Sequence, residues 1–592
     1  MGAALATRRL QVGREALTRN SLVARVVPDV SGIDKQFDYL VPPLFEQRVR
    51  PGAVVRVELN GRRVDAWVVE VGQADEPGFS VVSVDKLSPL LDVAELGVEE
   101  SVVPLAQWVA HHWCGPLRNV LSSATPVRKR SKPTHARRGT RNRDAGAGMS
   151  VLDSVLDNGG GLLRVPPLES AMSVVIEAAA RGSVLVLCPT LRMARLGAAS
   201  LRRKGLTTAE LPDQVDAAIS GVDVVIGARS AVLAPCAGLS AIVVIDEHEE
   251  SYHEERVPTW WAPEVARERG RRMGVPVVLT SPVPSAASEL MCGAVVNSSP
   301  GGWPRVDIVN LLDVPVKGSL LSGELLESVR DAGASVLCIL NTKGTARMLA
   351  CKACRALQTC AACRGALHAH EDVLACAACL SERAAVCSSC GRTALVNVRA
   401  GTTRLTQELS AAASLPVVEV TASTEGVGSG SAVYVGTDAL LHRVRTAGTV
   451  VFLDVDRDLA APRMGAGRDV LAGVARAARI VGRSGRVVIQ TRQVDHPVLV
   501  ALSEGTVDEY LRADTEMLRT LALPPFSSVA VLTADDEIPD GAVPDRPGVE
   551  WSRDGGGIVA RGTDRAALLD FASEVRAKSG VRVRVAVNPA RV

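Results

Sequence analysis

The chain has 592 residues, a net charge of +2, and 47% hydrophobic against 22% charged residues. At about 150 residues per domain this is chain enough for roughly four domains with real cores, which excludes a disordered protein. The near-neutral balance excludes a uniformly basic nucleic-acid coat.

Residues 1–20 read as a flexible, mildly basic tail without the apolar core of a signal peptide. From Ser21 to about Leu91 the runs LVARVV, FDYLV, AVVRVEL, DAWVVEVG and FSVVSV alternate with turns such as Pro51-Gly52 and Asn60-Gly61. They predict a small antiparallel barrel or open sheet. Residues 98–122 switch to helical spacing through Val102, Leu105, Trp108 and Val109. His111 and His112 there have no matched ligands and read as surface or packing residues. Eight basic residues and no acidic one lie between Arg128 and Arg143, a linker able to touch phosphates without sequence preference.

From Leu162 strands alternate with amphipathic helices. One series runs LLRV, SVLVLC, DVVIGA, AIVVID and PVVLTS. A second runs VLCILN, VVEVTA, AVYVGT, TVVFLDV and RVVIQT. Such alternation predicts two parallel sheets with helices on both faces, an α/β multidomain architecture. The divisions drawn are a tail (1–20), a β-rich domain with trailing helices (21–126) and a basic linker (127–150). A first lobe (151–310), the start of a second (311–350), a cysteine region (351–390), the rest of the second lobe (391–505) and a C-terminal α+β domain (506–592) follow. No run approaches about 18 apolar residues, so no membrane-spanning helix is expected, and a cytoplasmic protein is.

Eight of the 13 cysteines fall between Cys351 and Cys390. They form four C-x-x-C pairs: Cys351 and Cys354, Cys360 and Cys363, Cys376 and Cys379, Cys387 and Cys390. Each pair chelates from a tight turn, and a tetrahedral zinc needs two such knuckles, so four imply two closed, structural zinc sites. The spacing leaves open which knuckles pair. His368 and His370 lie within the cluster and read as surface residues, because the thiolates complete both sites.

Several stretches resemble the bacterial primosomal protein N′ (PriA) family of replication-restart helicases. FDYLVP with VRVELNGRR resembles that family's DNA 3′-end-binding domain. GARSAVLAP (227–235), IDEHEESYHEE (245–255) and LNTKGTARMLACKAC (340–354) resemble its helicase segments and its junction to the cysteines. RVVIQTRQVDHPVLVAL and LALPPFSSVAVL match near its C-terminal end. The resemblance implies two RecA-like lobes with a zinc-binding insertion in the second. It also implies a nested pairing, with Cys351, Cys354, Cys387 and Cys390 on one zinc and Cys360, Cys363, Cys376 and Cys379 on the other. Phe37, Asp38 and Gly61 fall on the family's pocket for a strand's terminal nucleotide, and Lys86 on its phosphate-side lysine. Chemically, Phe37 offers a stacking face, Asp38 an acceptor for a 3′-OH, and Gly61 close backbone approach. Tyr39 reads as a core aromatic.

The motor motifs depart from the family. A P-loop needs G-x-x-x-x-G-K-[ST], whose glycine amides and lysine hold phosphates. Between strand LLRV and helix AMSVVIEAAARG stands Pro166-Pro167-Leu168-Glu169-Ser170, and none of the nine lysines follows a glycine. Aligned on His248 and Tyr252, the family's magnesium-associated aspartate falls on Ile245, leaving Asp246 and Glu247 as the following acids. An alternative register restores those acids and displaces His248. Asp246, Glu247 and His248 are therefore read as vestigial. In GVARAARIVGRSG, Arg476 or Arg479 occupies the arginine-finger region, but a finger acts only on nucleotide already held. The family's winged-helix domain has too little chain, between residues 126 and 160, to form.

The resulting expectation is a nucleoid-associated replication-restart protein that recognises forked and single-stranded DNA. It carries two structural zinc ions, uses no ATP, and engages primosome, helicase-loading and single-strand-binding proteins. Two alternatives stay open: an active ATP-dependent helicase and a non-enzymatic zinc scaffold for proteins.

Overall fold

The computed structural model describes residues 21–589 except 75, 77, 80–85, 95–96, 126–150, 298–301, 315–319, 342–348, 363–366, 371–372, 377–380, 398–401, 421–423, 425–429 and 462–463. The expected tail and basic linker lie outside the described residues.

The N-terminal strands lie side by side in the order Phe37–Leu40, Leu22–Pro28, Arg62–Gln73, Val54–Leu59, Asp92–Val93. Val54–Leu59 shows why they form a barrel wall: Val55 and Val57 point in while Arg56 and Glu58 point out, the period-two pattern of a half-buried strand. Asn60 (φ 50°) and Gly61 (φ 75°) are both left-handed, the type I′ geometry that matches strand twist. The wall closes on itself. Leu40 bridges Pro89 in parallel, Leu91 donates to Arg56, and the Tyr39 hydroxyl donates to the Glu58 carbonyl at 2.9 Å. Tyr39 is buried, as its core reading requires.

Helix Val102–His112 buries Val102, Val103, Leu105, Ala106, Val109 and Ala110. A helix apolar on so many sides must be enclosed. It shares one core with Leu187, Ile242 and Trp260 of the first lobe and with Leu532 and Phe571 of the C-terminal domain. The barrel is thereby fixed to the lobes.

The first lobe is a seven-stranded sheet in the order Val295–Asn297, Gly160–Arg164, Val277–Ser281, Leu239–Val244, Ser183–Leu187, Val224–Gly227, Thr208–Glu210, parallel throughout. Every residue of Ser183–Leu187 is buried, the signature of a strand covered on both faces. The second lobe is a six-stranded parallel sheet in the order Arg305–Asn310, Arg486–Thr491, Thr449–Phe452, Val336–Ile339, Val433–Gly436, Val417–Val420. Its first strand, Arg305–Asn310, falls among the residues read as the first lobe. It crosses over because residue-for-residue pairing with Arg486–Thr491 covers the edge of the second sheet.

The cysteine insertion leaves the second lobe after Val336–Ile339 as two three-stranded sheets. The C-terminal domain is a four-stranded antiparallel sheet under helix Arg565–Lys578. No helix among the described residues is long and apolar enough to cross a membrane.

Candidate DNA-end pocket, motor cleft and metal centre

Cross-strand register places Asp38 opposite Arg25. Both Asp38 oxygens accept from that guanidinium, from Nε at 2.9 Å and Nη2 at 3.1 Å. Arg25 also donates to Glu70 at 2.9 Å, and its guanidinium lies 4.9 Å from the Phe79 ring centre. The hydrogen bond to Asp38 leads the effects that raise the Arg25 pKa. The carboxylate that the resemblance assigns to a terminal hydroxyl is thus aimed by an arginine that sequence reading missed. The Phe37 ring is half-buried against the barrel core. Gly61 stands at the hairpin tip with open space where a Cβ would be, and Lys86 is exposed. The Tyr39–Glu58 bond ties the strand carrying Phe37 and Asp38 to the hairpin ending in Gly61, while the Leu40–Pro89 bridge brings in the segment that follows Lys86.

In the first lobe, the loop from Val165 to Ala171 joins the edge-side strand to its helix, where a phosphate cradle would lie. From Val165 to Glu169 its amides are missing or taken. Val165 donates to Ser281, Leu168 to Gly302 and Glu169 to Pro166 at 3.0–3.1 Å, and Pro166 and Pro167 have no N–H. The Gly302 segment lies flat on the loop: a Cβ there would stand 2.2 Å from the Pro166 Cβ.

Asp246, Glu247 and His248 follow the central strand Leu239–Val244 and are brought together at its C-terminal end, the position where open α/β sheets bind ligands. Each is consumed by protein. Glu247 is buried and accepts from the Ser285 amide (2.8 Å), Ser285 Oγ (2.7 Å) and Ser288 Oγ (2.6 Å), anchoring helix α1 (Ala286–Cys292). Burial pushes its pKa up. His248 Nδ1 lies 2.7 Å from Ser281 Oγ, and burial lowers its pKa. Asp246 adopts φ 53° and is 1% exposed.

Helix α2 (Ala466–Val481) of the second lobe faces these acids. Arg479 holds both Asp246 oxygens, with Nη2 to Oδ1 at 2.6 Å and Nη1 on Oδ2. Arg476 holds both Glu249 oxygens at 2.7 and 2.8 Å. Burial would push the Glu249 carboxyl up, but Arg476 draws it down to about 2. Glu249 was not singled out from the sequence. Its only signal was a position three residues after Asp246, matching the three between Arg476 and Arg479.

The four sulfurs of Cys351, Cys354, Cys387 and Cys390 lie within 4.8 Å of one another. A tetrahedral zinc with Zn–S bonds of about 2.3 Å needs sulfurs roughly 3.8 Å apart, so this set fits the ion. The two knuckles repeat one backbone design. Arg355 and Gly391, each just past the second cysteine, have φ 65° and 72° and donate to the carbonyls of Cys351 and Cys387 at 2.9 Å. Arg355 stands where glycine is easiest, and its guanidinium reaches the Leu312 and Val314 carbonyls of the second lobe. Gln358 is buried, donates to Cys387 Sγ at 3.4 Å and accepts from Arg383 at 2.8 Å. Of the second expected set, Cys360 and Cys376 are buried, and Cys363 and Cys379 lie outside the described residues. The paired His112 binds Glu264 at 2.7 Å and stacks on Trp108, a packing role.

The model of the PriA 3′ DNA-binding domain (3′BD) matches residues 25–126. Replication restart protein PriA of Haemophilus influenzae is 27% identical over 346 residues, 52% of this chain and 47% of that protein, so the chain spans about half of that relative. The Treponema pallidum protein is 24% identical over 83% of this chain and 84% of its own. The probable PriA of Mycobacterium tuberculosis is 27% identical over 61% of each. A solved structure of S. cerevisiae Dbp5 with RNA and ADP BeF3 is 12% identical over 62% of this chain and 91% of its own, with a TM-score of 0.33. The strand orders and the 3′BD match define the class: two parallel-sheet α/β lobes joined to a domain similar to a DNA 3′-end-binding module. Within that frame the chain is similar to replication restart protein PriA, through the 3′BD and over as much as 83% of its length.

Proposed function

We propose that this chain recognises stalled or forked DNA and promotes replisome reloading without acting as a helicase. The barrel captures the 3′ end of the leading strand through Phe37, Asp38, Gly61 and Lys86. The lobes and zinc insertion contact single strand, primosome, helicase-loading and single-strand-binding proteins. The free energy comes from binding: about 1–3 kcal/mol per stacked base plus phosphate neutralisation. One observation carries the non-motor reading. From Val165 to Glu169 each backbone amide is missing or hydrogen-bonded within the protein, so those five positions offer none to a phosphate.

ATP hydrolysis and fork binding measured on one zinc-quantified preparation test this. We expect no DNA-stimulated hydrolysis, together with tighter binding to a fork bearing a 3′-OH leading strand than to blunt duplex, weakening steeply with salt. Hydrolysis abolished by Asp246→Ala or Glu247→Ala would instead identify an active helicase. Equal affinity for fork and blunt duplex would sink the fork-recognition reading.

A further inference from the structure

We propose that the two lobes are held closed by protein charges standing where a motor places nucleotide, so that their relative position is fixed without ATP. This rests on the non-motor reading above and deepens it. In a motor the arginine finger of one lobe reaches phosphate oxygens bound to the other, and closure follows nucleotide. Here the first lobe supplies the anionic oxygens itself. Asp246 and Glu249 meet Arg479 and Arg476 in crossed order, so two i, i+3 sets run antiparallel and all four charges are matched in bidentate pairs.

Further ties lie along the same cleft. Arg192 of the first lobe donates to the His442 and Arg443 carbonyls at 3.0 and 2.8 Å. Arg468 of α2 reaches the Pro284 carbonyl and lies 3.5 Å from Glu289. Thr515, on helix α3 (Val507–Thr520), donates to Glu289 at 2.6 Å. The carboxylates are nearly dry, with side chains 1% and 7% exposed, so salt screens these pairs far less than surface pairs. Guanidinium stays protonated at any working pH, which makes the closure permanent and not pH-gated on the arginine side. A left-handed aspartate such as Asp246 is sustained only where its surroundings over-determine it, and Arg479 does so. The lobes then act as a rigid platform that presents the barrel and the zinc insertion at a constant spacing.

Fluorophores carried on non-natural residues at Lys204 and Ser410, both exposed and one on each lobe, report the distance by single-molecule energy transfer in the full chain. We expect one narrow population, unchanged by ATP or by 0.5 M salt (roughly, enough to shorten the screening length to several ångströms). Arg476→Ala with Arg479→Ala should broaden it toward lower transfer, Arg476→Glu alone should broaden it in part, and adding Glu249→Arg to Arg476→Glu should recover some of that partial loss. A conservative Arg476→Lys with Arg479→Lys variant, which keeps charge but loses the fork, should broaden it less and guards against misfolding. A broad wild-type population without hydrolysis overturns the clamp while sparing the non-motor reading. A population that narrows on ATP together with hydrolysis overturns both.

Discussion

Arg479 on the second lobe grips both carboxylate oxygens of Asp246 on the first, 233 residues away in the chain. An acid read as a motor remnant is therefore a structural anchor, and its loss should appear in stability before it appears in chemistry.

Arg479→Ala leaves Asp246 buried without its counter-ion. Removing one partner of a buried pair costs about 3–5 kcal/mol. The lower end is expected here because 27% of the Arg479 side chain still meets water. Urea unfolding of Arg479→Ala, of Asp246→Ala and of the double variant forms a cycle. The double variant should lose less than the sum of the singles. Additive losses would show that the pair is not coupled.

Glu247→Ala removes three acceptor contacts to Ser285 and Ser288. Each buried donor left unsatisfied costs on the order of 1–3 kcal/mol. The expected result is a lowered melting temperature with no change in nucleotide turnover. A variant that melts normally but loses a measurable turnover would place Glu247 in catalysis.

Two zinc ions per chain are expected by elemental analysis. Cys354→Ser should remove one and Cys363→Ser the other, if the nested pairing holds. Arg355→Gly should relax a strained backbone, worth roughly 1 kcal/mol, while cutting the guanidinium ties to Leu312 and Val314. Zinc content should stay at two, and protease should reach the insertion faster. Unchanged proteolysis would mean that those ties do not hold the insertion.

Asp38→Ala should abolish discrimination between 3′-OH and 3′-phosphate ends, with about a tenfold loss of affinity for the hydroxyl end, the equivalent of roughly 1.4 kcal/mol. Arg25→Ala should reproduce part of that loss by freeing Asp38 to turn, even if Arg25 never touches DNA. Full end discrimination in Asp38→Ala would remove the carboxylate from the pocket.

Burial lowers the His253 pKa to about 4, so the folded protein holds it neutral. An unfolded histidine takes a proton below about 6.5. The unfolded state therefore binds more protons between those values, and stability falls as pH drops from about 6.5 toward 4, by on the order of 3 kcal/mol. His253→Phe, which can keep the stacking on Trp261, should flatten unfolding free energy against pH in that window. An unaltered slope would assign the acid sensitivity to other groups.

Sequence alone fixed the features that rest on near neighbours. The C-x-x-C spacings determined knuckles, the βα alternation determined two parallel sheets, and Pro166-Pro167 in place of glycines determined a loop with two positions that lack an N–H. These are local because a turn, a strand period or a missing N–H is decided within a few residues. Partner choice was not local. Asp38 finds Arg25 only through cross-strand register, and Glu249 finds Arg476 across 227 residues. By resemblance Asp38 was an acceptor for a 3′-OH and Asp246 a vestige of a motor. Tertiary structure made the first an oriented carboxylate and the second half of a clamp, because desolvated charges must be matched wherever the fold brings them.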